Sequence, residues 1–220
     1  MSAVNRVCRV VTATVTVAAA LTLSACGSGN SDGSSDGKGP GADTGARKSA
    51  SPSAVESAVT DRPEIELPSD LSYTFEWPKS GDKERDAVLS DGAQSVKAVD
   101  LAIAHQDALD KPYLFYYEGE AAAGTEQFIQ RYVDNKARTT GAYRFYDPKV
   151  NVRGDGTASF SYCEDQGKAF VMYLKGKRIK KTEVTADSYV AYQTSLKKND
   201  KGVWVIHDIT SQRGSAACQP

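Results

Sequence analysis

Hydrophobic positions along this 220-residue chain change their period several times, and each change marks a different element. Residues 10–23 form one apolar run, diluted by Thr12, Thr14, Thr16 and Thr22. Residues 27–62 are rich in Gly, Ser, Asp and Ala and almost lack large apolar side chains. Apolar residues then alternate through Ile65, Leu67, Leu71, Tyr73, Phe75 and Trp77, in a stretch broken by Pro68 and Pro78. Alternation with prolines predicts an edge strand, or a strap laid on a domain. A helical period follows. Val88, Leu89, Gly92, Val96, Val99 and Ile103 share one stripe, and Asp82 is placed to cap a helix running to about Gln106. Residues 113–117 form an aromatic knot between helices. Thr125 is placed to cap a second helix, with Phe128, Ile129, Tyr132 and Val133 on one face, and Gly141 ends the helical part.

The remainder reads as strands, at roughly 143–153, 157–164, 169–175, 188–198 and 203–213, separated by turns at 154–156, 165–167 and 199–202. Helices first and antiparallel strands afterwards predict an α+β fold, with N-terminal helices packed on a curved antiparallel β-meander. The last turn sets the facing of the final strand. A type I turn with Gly202 left-handed pairs Asn199 with Val203 and puts Trp204, Ile206 and Asp208 on the face of Leu196, Tyr192 and Val190. A two-residue turn at Asp200-Lys201 puts Val203, Val205, His207 and Ile209 there instead. The first is favoured, because glycine suits the bulge position. In the strand from 157, Ala158, Phe160 and Tyr162 point one way and Thr157, Ser159, Ser161 and Cys163 the other. Cys163 then faces outward, and the C-terminal tail must fold back over the sheet to bring Cys218 beside it.

The N-terminus changes the picture of where the domain works. Arg6 and Arg9 precede the apolar run of residues 10–23, which is shorter than the ~20 residues a membrane-spanning helix needs but suits a signal peptide. The run ends in Leu23-Ser24-Ala25-Cys26, a tetrad that resembles the lipobox of bacterial lipoproteins. That resemblance implies a diacylglyceryl thioether on Cys26, cleavage just before it, and palmitate-type acylation. Stable anchoring takes about two acyl chains at roughly 0.8 kcal/mol per buried CH₂, and a diacylglyceryl group supplies them. The chain therefore divides into a signal peptide (1–25), a lipidated, disordered linker (26–62) and one α+β domain (63–220). The expected location is the extracytoplasmic face of the cell membrane, with the lipid bilayer as a partner. A plain secreted protein is the alternative.

Charge is nearly balanced, 27 basic against 28 acidic side chains, which argues against general nucleic-acid binding. Cys8 falls in the signal. Cys163 and Cys218 remain, and outside the membrane they read as a disulfide. A metal pair lacks further ligands at suitable spacing, and a redox pair lacks a C-x-x-C. No cofactor or metal is called for.

Tyr162-Cys163-Glu164-Asp165-Gln166, Gly202-Val203-Trp204 and Arg213-Gly214 with Cys218, in the order lipobox, linker, helices and meander, carry a further resemblance. The chain is similar, over roughly residues 64–218, to actinobacterial lipoproteins of unassigned activity with a nuclear transport factor 2-like fold. That resemblance implies a cone, a curved sheet wrapped over helices, often with a pocket at its wide end. The superfamily holds ketosteroid isomerase-like enzymes, small-ligand binders and adaptors, so fold does not decide function.

Candidate chemistry is sparse. The chain lacks the common hydrolase, zinc-protease and nucleotide-binding motifs. Of the two histidines, His105 falls off the apolar stripe and His207 sits on a strand face that depends on the turn. Asp100 lies at the border of the apolar stripe. In a cone it points into the cavity and acts as a general base if desolvation raises its pKa, with Asp208 opposing it. Alternatively both are wet rim residues. Tyr132, Tyr162, Tyr192 and Trp204 complete the candidate pocket. Lys175, Lys177, Arg178, Lys180 and Lys181 form a basic loop, either a solvated hairpin tip or a contact for anionic surfaces. The leading expectation is a non-enzymatic anchored domain that binds a small ligand or an envelope protein. The alternatives are a small-cavity isomerase or dehydratase using Asp100, and an assembly module of an envelope complex.

Overall fold

The computed structural model describes residues 62–220. The expected signal peptide, Cys26 and all of the expected linker but Arg62 lie outside the described residues. The domain is α+β, as expected. Strand β1 (Leu71–Phe75) is followed by helices α1 (Lys83–His105), α2 (Lys111–Tyr116) and α3 (Gly119–Asp134). Five strands follow: β2 (Ala137–Val152), β3 (Thr157–Tyr173), β4 (Arg178–Lys180), β5 (Tyr189–Lys198) and β6 (Trp204–Arg213). The sheet order is β1-β2-β3-β5-β6, with the short β4 on the far part of β3. All pairings are antiparallel except β1 with β2, so the strap before the helices joins the edge of the meander in parallel.

The sequence explains the frame. Asp82 accepts from the amides of Glu84 and Arg85, each at 2.9 Å, and starts α1. Gln106 ends it in the left-handed region at φ 58°, and its side-chain amide donates to Ile103 O and Ala137 O, tying the helix end to the start of β2. Val88, Ala98, Ala102 and Ile103 of α1 pack with Phe145, Phe160, Leu196 and Trp204 of the sheet. Fully burying an aliphatic or aromatic side chain of this kind contributes roughly 1.5–3 kcal/mol. Gly92 lets α1 approach the sheet, since a Cβ there would lie 2.7 Å from the Phe160 ring.

Several expectations need correction. Residues 113–117 are not a knot between helices; residues 111–116 form the helix α2. Helix α3 starts at Gly119, not Thr125, because Ala121–Ala123 favour helix and Gly124-Thr125 are absorbed within it. The helical part ends at Asp134, and Gly141 lies inside β2 at φ 97°, where a side chain would meet the Lys168 carbonyl oxygen. Residues 165–167 are not a turn. β3 runs unbroken through them, and Tyr143 of β2 faces an extra residue, between the pairs Ala142–Lys168 and Arg144–Asp165. The Asp165 carboxylate accepts from Gly167 N at 2.8 Å, the local bond that makes this stretch look like a turn. A second irregularity follows Tyr146. Bulges bend the strand that carries them, and these two curve the sheet around the helices.

The last turn takes the favoured form. Gly202 has φ 74°, Gly202 N donates to Asn199 O, and Asn199 N donates to Val203 O. Cys163 and Cys218 are joined in a disulfide with Cα atoms 5.5 Å apart. Cys163 is on the outer face, but the short helical turn at residues 216–218 covers it, and the Tyr146 hydroxyl donates to Cys218 O.

Candidate functional site

A cavity of about 530 Å³ opens between the C-terminal half of α1, helix α3 and the concave face of the sheet. Each wall has a sequence cause. Val96, Val99 and Asp100 occupy one side of α1, spaced three and four residues apart. Gly124, Phe128 and Tyr132 form the facing stripe of α3. Tyr143 and Phe145 of β2, Tyr162 and Glu164 of β3, and Val190 and Tyr192 of β5 follow the two-residue period of their strands. The bulge opposite Tyr143 sits beside Glu164 and Gln166, so the sheet bends where its polar groups face the lumen.

Four carboxyl groups line this cavity; Glu120 and Asp208 are exposed, and Asp100 and Glu164 lie inside it. Asp100 accepts from the Tyr73 hydroxyl and from Thr139 Oγ1, the latter at 2.7 Å. Its remaining exposure is toward the lumen, and burial pushes its pKa up to about 7, against the opposing pull of the Thr139 bond. Glu164 is buried, and desolvation pushes its pKa up to about 7 as well. Hydrogen bonds from Tyr192 and Gln166 oppose that rise, and the nearby charge of Asp100 adds to it. Gln166 is itself oriented by Arg213, whose Nη1 donates to Gln166 Oε1 at 3.0 Å. Around the acids stand tyrosines. The Tyr162 and Tyr192 rings stack at 5.1 Å, and Tyr143 meets Tyr73 edge-on at 5.4 Å. Burial raises the pKa of Tyr132 to about 12 and that of Tyr143 well above its ordinary value, so these side chains are neutral at physiological pH. Such an arrangement holds an apolar body against ring faces. It can also give or take a proton near pH 7.

Asp100, Tyr132, Tyr162 and Tyr192 all line the cavity. Asp208 does not oppose Asp100. β6 carries a bulge at His207, between the pairs Leu196–Ile206 and Ser195–Asp208, which reverses the facing of every later residue. Ile209, Ser211 and Arg213 turn toward the cavity, and Asp208 is left exposed at the rim beside Ser195. Trp204 precedes the bulge and points inward, but at the other end of α1, where it is almost fully buried and Lys198 lies over its ring at 5.8 Å. The acid that faces the lumen with Asp100 is Glu164, two residues beyond Tyr162 on the same strand face. The alternation of Ala158, Phe160 and Tyr162 already pointed to it.

Neither histidine lines the cavity. His105 pairs with Asp110 at 2.7 Å, and His207 pairs with Glu118. Lys175, Lys177, Arg178, Lys180 and Lys181 are exposed, on the turn at residues 175–177, on β4 and just past it, with Ile179 exposed among them. Arg178 lies over the Tyr173 ring at 4.8 Å. Sequence reasoning missed a second acid, Asp91. It is fully buried, pairs with Arg62 at 2.8 Å and accepts from Trp204 N at 2.9 Å, a structural role. Among the described residues, no group of three or more His, Cys, Asp or Glu is placed to hold a metal ion.

No protein-family model and no curated protein matches this chain. Similar solved structures include a nuclear transport factor 2-like superfamily protein from Salmonella enterica serovar Typhimurium. It is 10% identical, the match covers 60% of this chain and 92% of that one, and the TM-score is 0.40. A ketosteroid isomerase-like protein from Erwinia carotovora atroseptica is 13% identical, over 61% and 98% of the two chains, with a TM-score of 0.39. A type 2 hexachlorocyclohexane dehydrochlorinase is 7% identical, over 60% and 88%, with a TM-score of 0.39. The likeness concerns the fold, and nothing about activity follows from it.

Proposed function

We propose that this domain is a small-molecule-binding cone, held at the extracytoplasmic face of the membrane by a lipid on Cys26. The observation that carries the binding reading is the open cavity of about 530 Å³ with aromatic walls and two carboxyl groups in it. This volume lies within the range of small-ligand pockets, as does the mix of ring faces with a few polar groups. A domain serving only as an assembly module has no need of such a lumen. Anchoring rests on the Leu23-Ser24-Ala25-Cys26 tetrad and the preceding apolar run. Its test is detergent phase partition, in which the protein enters the detergent phase and a Cys26→Ala variant stays in the aqueous phase.

The test of binding is native mass spectrometry of the protein purified from its own membranes, beside a Gly124→Trp variant. Gly124 lines the cavity and has open space around its Cβ position, so an indole there fills the lumen without a backbone clash. The expected result is a co-purifying small molecule on the wild type that is lost from the variant. A bound mass that persists in a folded Gly124→Trp protein places the ligand elsewhere and refutes the reading. A bare wild type that takes up nothing from a membrane extract refutes it too.

One observation favours a second reading as an enzyme. Asp100 and Glu164 both titrate at about 7, where a carboxyl group serves as acid or base with comparable ease. On that reading Asp100 is the general base of an isomerase- or dehydratase-like reaction, and Glu164, not Asp208, is the second acid. Turnover of the identified ligand, abolished by Asp100→Asn, distinguishes an enzyme from a carrier.

A further inference from the structure

We infer that the ligand of this cavity is an organic cation: an amine or quaternary ammonium group on an apolar body, its charge seated by Asp100 and Glu164 and its body against the tyrosine rings. The inference rests on the small-molecule reading of the same cavity and adds the chemical class.

Four acids line the cavity: Asp100 from α1, Glu120 from α3, Glu164 from β3 and Asp208 at the rim of β6. Two cations line it, Arg131 and Arg213, and neither forms an ion pair with the two inner acids. Arg213 donates to Gln166 Oε1 and to the Asp187 carbonyl at 2.7 Å. Arg131 lies over the Phe128 ring at 5.4 Å. The groups that touch the two inner acids are neutral. Tyr73 of β1 and Thr139 of β2 hold Asp100, while Tyr192 of β5 and Gln166 of β3 hold Glu164. Each acid is thus oriented as an acceptor and given no direct ion pair, although the charge of Arg213 acts on Glu164 from beyond Gln166. A carboxylate in that position costs free energy until a cation arrives.

Tyr132, Tyr143, Tyr162 and Tyr192 line the cavity as one aromatic wall, with Tyr162 stacked on Tyr192 at 5.1 Å and Tyr143 beside Phe145 at 6.2 Å. Ring faces attract cations, most strongly where water is excluded, and aromatic cages are a standing solution for quaternary ammonium groups. A neutral ligand gains from these rings by packing alone. A cation gains from the rings and both acids together.

The two acids add a signature. With both titrating at about 7, they are mostly protonated at pH 6 and mostly ionised at pH 8. A cation binds the ionised form, so it must displace protons at low pH. Displacing one strengthens apparent affinity about tenfold from pH 6 to pH 8, and displacing two by up to about a hundredfold. A ligand that accepts a hydrogen bond from a neutral carboxyl behaves oppositely.

The experiment uses a pair of probes of the same shape: benzyldimethyl(2-hydroxyethyl)ammonium, charged at every pH, and 3,3-dimethyl-4-phenylbutan-1-ol, its neutral carbon analogue. Binding to the protein is measured by calorimetry at pH 6, 7 and 8. The expected result is tighter binding of the cation, strengthening with pH by about tenfold or more, with the alcohol weak and indifferent to pH. Asp100→Asn and, separately, Glu164→Gln should each weaken cation binding at pH 8 about tenfold or more while leaving the alcohol unchanged. Two variants are used so that either suffices if the other fails to fold. Equal binding of the alcohol, or cation binding that is flat or falls with pH, overturns the inference and leaves the cavity reading standing. Failure of both probes to bind at about 10 mM overturns the inference, and the mass-spectrometric comparison with Gly124→Trp then decides the cavity reading by itself.

Discussion

The protein should lose stability as pH rises from 5 to 8, and Asp100→Asn should remove about half of that loss. Asp100 moves from an ordinary value of 3.8 to about 7 on folding, and Glu164 from 4.5 to about 7. Each acid holds its proton more tightly in the folded state. Below about pH 4 both states are protonated and neither acid matters. Between about 4 and 7 the unfolded chain gives up protons that the folded one keeps, so the folded state is progressively disfavoured; above about 7 the loss is complete. At 1.36 kcal/mol per pH unit, Asp100 accounts for roughly 4 kcal/mol and Glu164 for roughly 3 kcal/mol. The two are not additive, because part of the rise at Glu164 comes from the charge of Asp100. Asp70 has a lowered pKa, held down by bonds from Thr140 and Arg138, and its contribution is lost only as pH falls through the acid range, outside this window. The assay is urea unfolding followed by the fluorescence of Trp77 and Trp204 at pH 5, 6, 7 and 8. His105 and His207 are present in every variant, so the difference between curves assigns the slope to the cavity acids. Asn at position 100 still accepts a hydrogen bond from Tyr73 or Thr139, and the variant should exceed the wild type at pH 8 by up to about 4 kcal/mol. A wild type equally stable at pH 5 and pH 8, or an Asp100→Asn curve parallel to it, refutes the argument that these acids are desolvated.

Two further outcomes test other parts of the molecule. Asp91→Ala removes the acceptor that the Arg62 guanidinium and the buried Trp204 amide share; losing the acceptor of a buried amide costs about 1–3 kcal/mol, read as a drop of roughly 5 °C in Tm at constant pH. Lys175, Lys177, Arg178, Lys180 and Lys181 should give the protein salt-sensitive binding to vesicles of anionic lipid, at about 1 kcal/mol per residue near the surface. Replacing all five by Gln should abolish it in a co-sedimentation assay at low salt, and binding that survives sends the basic loop back to being a solvated hairpin tip.

The frame of this domain is legible in its sequence because the frame obeys regular periods. The stripe from Val88 to Ile103, the cap at Asp82 and the Asn199–Gly202 turn each follow from local rules, and the structure agrees with them. Asp91 shows where such rules stop. Its place near the apolar stripe is readable, but its partner Arg62 is 29 residues away, in a stretch whose composition reads as linker. Thr125 shows the opposite failure, a good cap residue overridden by the helix-forming alanines before it.

The candidate site was half legible, for a related reason. Asp100 is found because it sits at the edge of a regular stripe. Glu164 keeps the facing of Ala158, Phe160 and Tyr162, but it stands where the strand reads as ending in an Asp165-Gln166-Gly167 turn, whose Asx-type bond is the same in a bulge, and only the long partner strand β2 decides between them. Asp208 was misplaced because the bulge at His207 contains no glycine or proline to announce it. Both errors fall at places where one extra residue breaks the two-residue period, and both places border the cavity. This follows from geometry more than from chance. A sheet must bend sharply to enclose a lumen, bending is done by bulges, and each bulge re-aims the residues after it. Residues before a bulge keep the facing that alternation gives them, and residues after it do not. In a chain that reads as a cone, an acid in register with the core just before an apparent break in a strand, as Glu164 is, is a better site candidate than one that lies beyond a bulge, as Asp208 does.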